Sequence, residues 1–239
     1  SLAGTILFPK YIRNINHDAF AYCSKIEKIE FSEYYYSHVI NDRAFYKCIG
    51  LTGSLNLTKN TNFIGVEAFA FCSGFNGELI LPVQKFDEYI ISDRAFYKCS
   101  GFIGTLDIQE YCNKIGDEAF YGCSGFNKLV LKCNNHGKAA FAYCSGFTAI
   151  YCKELKTINS YLFYGCSKIS NEIEFFDLDY IFDHAFQGCS SLKGFPSYVY
   201  PKSIGAYAFE GCVRLSTIKF RPDEIHEYAF ANCSNITKL

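Results

Sequence analysis

One pentapeptide, Ala-Phe-x-x-Cys, governs what this chain can fold into. It occurs at residues 19–23, 44–48, 68–72, 95–99, 119–123, 140–144, 185–189, 208–212 and 229–233, and a tenth copy at 162–166 changes only the alanine, to Leu162. Successive motif cysteines lie 25, 24, 27, 24, 21, 22, 23, 23 and 21 residues apart. A unit of about 23 residues is too small to bury a core of its own. The units must therefore stack, and the expected fold is a repeat solenoid of about ten turns, a single body over 1–239.

Aligning the turns separates inside from outside. Three residues after each motif cysteine stands an apolar residue: Ile26, Leu51, Phe75, Phe102, Phe126, Phe147, Ile169, Leu192, Leu215 and Ile236. A short alternating stretch follows, as in Ile26-Glu27-Lys28-Ile29-Glu30-Phe31, and period-two alternation means a strand with one buried face. Four residues before each motif alanine (or Leu162) comes Ile15, Ile40, Ile64, Ile91, Ile115, Ile158, Ile181, Ile204 or Ile225, a second inward position on the return side. The sixth turn alone departs there, with His136. Stacking coils at about 4.8 Å places like over like, so the motif phenylalanines should form a column of rings and the motif cysteines a buried column of free thiols. Continuous strand pairing would give a ten-rung parallel sheet.

Composition narrows the function. The chain is 49% hydrophobic and 20% charged, with 23 basic against 24 acidic residues. That excludes a disordered chain and removes the electrostatic footprint of a nucleic-acid binder. No apolar run approaches the roughly 18 residues of a membrane span. Thirteen cysteines in 239 residues is about 5%, below the roughly 8–10% of a disulfide-built mini-protein.

With these residues in register, the chain resembles the BspA-like leucine-rich repeats, whose units read approximately L-x-x-I-x-I-P…I-G-x-x-A-F-x-x-C. The resemblance implies a right-handed leucine-rich-repeat coil with a parallel sheet on its concave face, in a cell-surface or secreted protein that adheres to host or extracellular-matrix proteins. Local departures are His136, Leu162 and the stretch 192–197, where Pro196 and Ser197 interrupt the strand pattern. The ends lack polar capping repeats, so the chain reads as a segment of a longer array, with end-to-end self-association expected at its apolar edges.

No phosphate-binding, dinucleotide-binding, zinc-protease or nucleophile-elbow motif occurs, and no C-x-x-C. No cofactor or metal is expected, and no enzyme. The outward strand positions are the remaining candidates. Ile80, Val130, Ala149 and Tyr151 put apolar groups around Asp107 where such a face should be polar, a binding patch or scattered exposed hydrophobes. An alternative edge is the column Tyr161, His184, Tyr207 and Tyr228. A polysaccharide-degrading groove using Asp107, Glu172 and Glu174 is disfavoured, because Asp107 and Glu172 are three coils apart, roughly 14 Å, beyond a glycosidase pair. An intracellular interaction scaffold is a further reading, which unpaired thiols would suit.

Unusual chemistry is sought in the sixth turn. Cys112 and Cys133 share a phase, seven residues before Ala119 and Ala140, and are vertical neighbours, with His136 three residues on. The first expectation is that the shortened coil exposes His136 while both cysteines stay core thiols. A Cys112–Cys133 disulfide is the sharper option, and zinc lacks a fourth ligand. His17, His38, His184 and His226 read as solvated surface.

Overall fold

The computed structural model describes residues 2–32, 37–57, 60–83, 88–152, 154–170, 172–196, 199–219 and 221–237. Seventeen short strands account for the regular structure among these described residues. The first nine are β1 (Gly4–Phe8), β2 (Asn14–Ile15), β3 (Ile26–Phe31), β4 (His38–Ile40), β5 (Leu55–Asn56), β6 (Thr61–Ile64), β7 (Leu79–Ile80), β8 (Tyr89–Ile91) and β9 (Gly104–Ile108). There follow β10 (Cys112–Ile115), β11 (Phe126–Leu131), β12 (Ala149–Tyr151), β13 (Thr157–Ile158), β14 (Glu172–Glu174), β15 (Tyr180–Ile181), β16 (Ser203–Ile204) and β17 (Glu224–Ile225). No helix occurs among the described residues.

Every pairing is parallel and joins one coil to the next. The strand that follows each motif builds one face, in the order β9-β11-β12-β14 through the middle, with pairs β1–β3 and β5–β7 before it. The return strands build the other, as β2-β4-β6-β8-β10 and then β13-β15-β16-β17, bridged across the sixth turn by Ile115 and His136. The expected unbroken ten-rung sheet is thus a row of separate pieces. In the ninth turn, where Pro196 removes a donor, the strand shrinks to one bridge between Gly194 and Thr217.

The motif itself makes a third stack, at the corner. Phe45 N–H donates to the Ala68 carbonyl of the next coil at 2.8 Å, and Phe69 to Ala95 and Phe96 to Ala119 at the same distance. Aiming these groups along the solenoid axis requires left-handed backbone at two places per corner: φ is 56° at Arg43 and 56° at Lys47, and the pattern recurs at Arg94 and Lys98. Such a residue costs about 1 kcal/mol when it is not glycine. Gly122, Gly165, Gly188 and Gly211 relieve that strain at the second position of later corners.

Inside, the expected columns form. The motif rings stack from Phe20 to Phe230; Phe45–Phe69 centroids are 5.1 Å apart with planes 6° from parallel, and Phe96–Phe120 5.2 Å and 7°. The return isoleucines are buried from Ile15 to Ile204, and Ile225, in the last described coil, is 52% exposed. The motif thiols do more than fill space. Each from Cys48 to Cys233 donates its S–H to the Phe carbonyl of the preceding coil, as Cys72 to Phe45 at 3.0 Å and Cys123 to Phe96 at 3.0 Å. Burial pushes the Cys48 thiol up to about 12 and those deeper in the column higher still.

Candidate recognition face

Strand register decides which outward side chains meet. Across β9, β11, β12 and β14 the pairs Asp107–Val130, Val130–Tyr151 and Tyr151–Glu174 place these four residues in one row, and β5–β7 sets Asn56 beside Ile80. Ile80 is 42% exposed and shares a shallow depression of about 400 Å³ with Val83, Thr105 and Asp107. A neighbouring hollow of about 320 Å³ is lined by Lys128, Val130, Leu131, Lys132, Tyr151 and Glu154, and is the more apolar of the two. Lys128 lies over the Tyr151 ring, Nζ 4.3 Å from its centroid, which fixes the ring on the face.

The rim between the hollows is held by a polar chain. Lys132 Nζ donates to Gln109 Oε1 at 2.7 Å, and Gln109 Nε2 donates to Asp107 Oδ1 at 2.6 Å. The structure therefore brings Ile80, Asp107, Val130 and Tyr151 onto one stripe. Ala149 does not join them: it stands on the outward phase, in register with Lys128, but is only 3% exposed. A single methyl there ends short of the surface set by its longer neighbours.

The edge residues Tyr161, His184, Tyr207 and Tyr228 also come together, as stacked rings 4.3, 5.0 and 5.0 Å apart. They continue a larger column that sequence inspection overlooked. Tyr22, Tyr46, Phe71, Tyr97, Tyr121, Tyr143 and Tyr164 run up the outside of the first seven corners at 4.9–5.6 Å between centroids. Tyr164 then touches Tyr161 at 5.6 Å, so the aromatic path shifts to the residue just before the motif and goes on to the last corner. The signal was available, since one of the two variable motif positions is aromatic in each of the first seven copies. In the first five coils the position that Tyr161 holds later is charged: Arg43 pairs with Asp18 at 3.1 Å, and Arg94 with Glu118 at 2.6 Å.

Two histidines depart from expectation. His38 is 1% exposed rather than solvated, and its Nε2 meets Thr61 Oγ1 at 2.9 Å. Burial lowers its pKa to about 4. His136 is 4% exposed rather than opened to water; its Nε2 donates to the Thr157 carbonyl at 3.2 Å, and burial lowers its pKa also. All thirteen cysteines are thiols in this structure. Among the described residues no three His, Cys, Asp or Glu side chains converge on a point where a metal could sit. No described helix is long and apolar enough to cross a membrane.

Comparison with known proteins decides the family. The model of the BspA type leucine-rich repeat region matches in overlapping stretches, 3–85, 38–170, 84–193 and 157–239. The chain belongs to the BspA-type leucine-rich repeat family. Its coils superpose on a leucine-rich repeat protein of Bacteroides ovatus with a TM-score of 0.56 at 21% identity, over 97% of this chain and 77% of that one. A leucine-rich cell surface protein of Faecalibacterium prausnitzii gives 0.56 at 19%, over 92% and 60%. The leucine-rich repeat protein of T. pallidum gives 0.59 at 22%, over 79% and 77%. At these identities the likeness is one of fold, and the BspA-type chain spans 60% of the Faecalibacterium protein. No curated protein matches it.

Proposed function

We propose that this BspA-type repeat is a non-enzymatic protein-recognition module of a cell-surface or secreted protein, adhering to host or extracellular-matrix proteins. The observation that carries this reading is the outward stripe of exposed Ile80 and Asp107 with half-buried Val130 and Tyr151, whose two adjacent hollows join apolar surface to fixed polar groups. Aromatic and apolar anchors rimmed by charge are what protein interfaces use. The family and the cell-surface relative supply the expectation of location.

The test is an array of matrix proteins and glycans probed with the purified chain. Saturable binding to a protein supports recognition. Turnover of a polysaccharide would overturn it in favour of the groove Asp107, Glu172 and Glu174, and binding restricted to cytosolic proteins would favour an intracellular scaffold.

A further inference from the structure

A buried polar column crosses the return side of the early coils. His38 stands over Thr61, and Tyr89 pairs in register with Cys112. The bridge from Ile115 to His136, with Ile115 N–H donating to the Asn135 carbonyl at 2.8 Å, continues that register and sets Cys112 over Cys133. The motif cysteines are also vertical neighbours, but each from Cys48 to Cys233 holds its proton on a Phe carbonyl at 2.9–3.2 Å. Cys112 and Cys133 reach their nearest carbonyls, Lys114 and Asn135, only at 3.5 Å. Their thiols instead lie beside each other and beside the buried Tyr89 side chain, each shifting its neighbour's hold on its proton.

We propose that Cys112 and Cys133 are a peroxide-sensitive dithiol, closing to a disulfide that ties the fifth coil to the sixth. Parallel neighbours at about 4.8 Å fall inside the Cα window for a disulfide. Both residues are buried, at 3% and 2% exposure, and each is followed directly by an exposed asparagine, Asn113 and Asn134. The neighbouring Cys112 thiol lowers the pKa of Cys133 and so favours its thiolate; Cys133 is the one cysteine among those with a resolved shift that moves in this direction. Cys112 correspondingly keeps its proton.

The steps balance with hydrogen peroxide as oxidant. The Cys133 thiolate attacks one peroxide oxygen, the O–O bond breaks, and the departing hydroxide takes a proton to leave as water, giving a sulfenic acid. Cys112 then gives up its proton as its sulfur attacks that of Cys133. The S–O bond breaks and the oxygen leaves as a second water. Two thiols lose two hydrogens and two electrons, and one peroxide becomes two waters.

The experiment treats the native chain with graded hydrogen peroxide, blocks remaining thiols, digests without reduction and maps cysteines by mass spectrometry. The expected product is a peptide joining Cys112 to Cys133, two hydrogens lighter than the reduced pair, with eleven thiols still blocked and full reversal by dithiothreitol. In Cys112→Ser the expected product is a dimedone adduct on Cys133 without a cross-link, and Cys112→Ala serves if serine disturbs the coil. Thirteen blocked thiols after oxidation, or a motif cysteine oxidised before this pair, would overturn the proposal. So would sulfinic acid accumulating on Cys133 in the unsubstituted chain.

Discussion

A motif thiol is small and apolar enough for the core, yet each one from Cys48 onward also donates a hydrogen bond into the preceding coil. The two roles separate by substitution. Cys123→Ala removes the donor from the Phe96 carbonyl and should cost about 1–2 kcal/mol. Cys123→Ser keeps a donor in place, so it should be no worse than alanine in chemical denaturation. Were the site only a hydrophobic slot, the buried hydroxyl would make serine the worse variant by about 1–3 kcal/mol. His38 supplies a second prediction at this scale. Its pKa of about 4 in the fold lies below the unfolded 6.5, so its contribution is complete above pH 6.5 and is lost as pH falls toward 4. The loss approaches about 3 kcal/mol, and His38→Gln should flatten stability-against-pH curves over that window. His136 shifts in the same direction and leaves part of the slope in that variant. The place of His136 in the inward isoleucine column already pointed to its burial, whereas that of His38 was not legible. Phase counting placed His38 outside because the ladder shifts register between His38 and Val39, a bulge that period alone does not announce. The thiol bonds were hidden because cysteine satisfies an apolar pattern without its donor.

At the level of the coil, repetition made the architecture readable. Phe20, Phe45 and Phe69 recur in one phase, and stacking like on like turns that recurrence into a column; the isoleucine column follows from the same argument. Alternation likewise put Asp107, Val130 and Tyr151 outward, but it could not register that alanine is too short to reach the surface at Ala149. The sheets fragmented where a coil's length changes or Pro196 intervenes, which a count of motifs does not show. Phe120→Ala should cost about 3–5 kcal/mol through lost burial and the residual cavity. Because Phe120 stacks on both Phe96 and Phe141, hydrogen exchange should accelerate in the coils on either side as well as its own. Loss confined to the fifth coil, or no loss, would contradict the continuous column.

For the whole molecule, a rigid stack offers two long surfaces: the strand face with its two hollows, and the corner edge with its aromatic path. The central claim is that recognition uses the first. Its most direct test compares the chain with a Val130→Glu/Tyr151→Ala variant, measuring by surface plasmon resonance the affinity for the tightest protein from the matrix array. Both side chains are half-buried and point outward from the ring and isoleucine columns, so the melting temperature should move little, and affinity should fall at least tenfold, about 1.4 kcal/mol or more. Unchanged affinity in a folded double variant would contradict the account and move recognition to the edge of Tyr161, His184, Tyr207 and Tyr228.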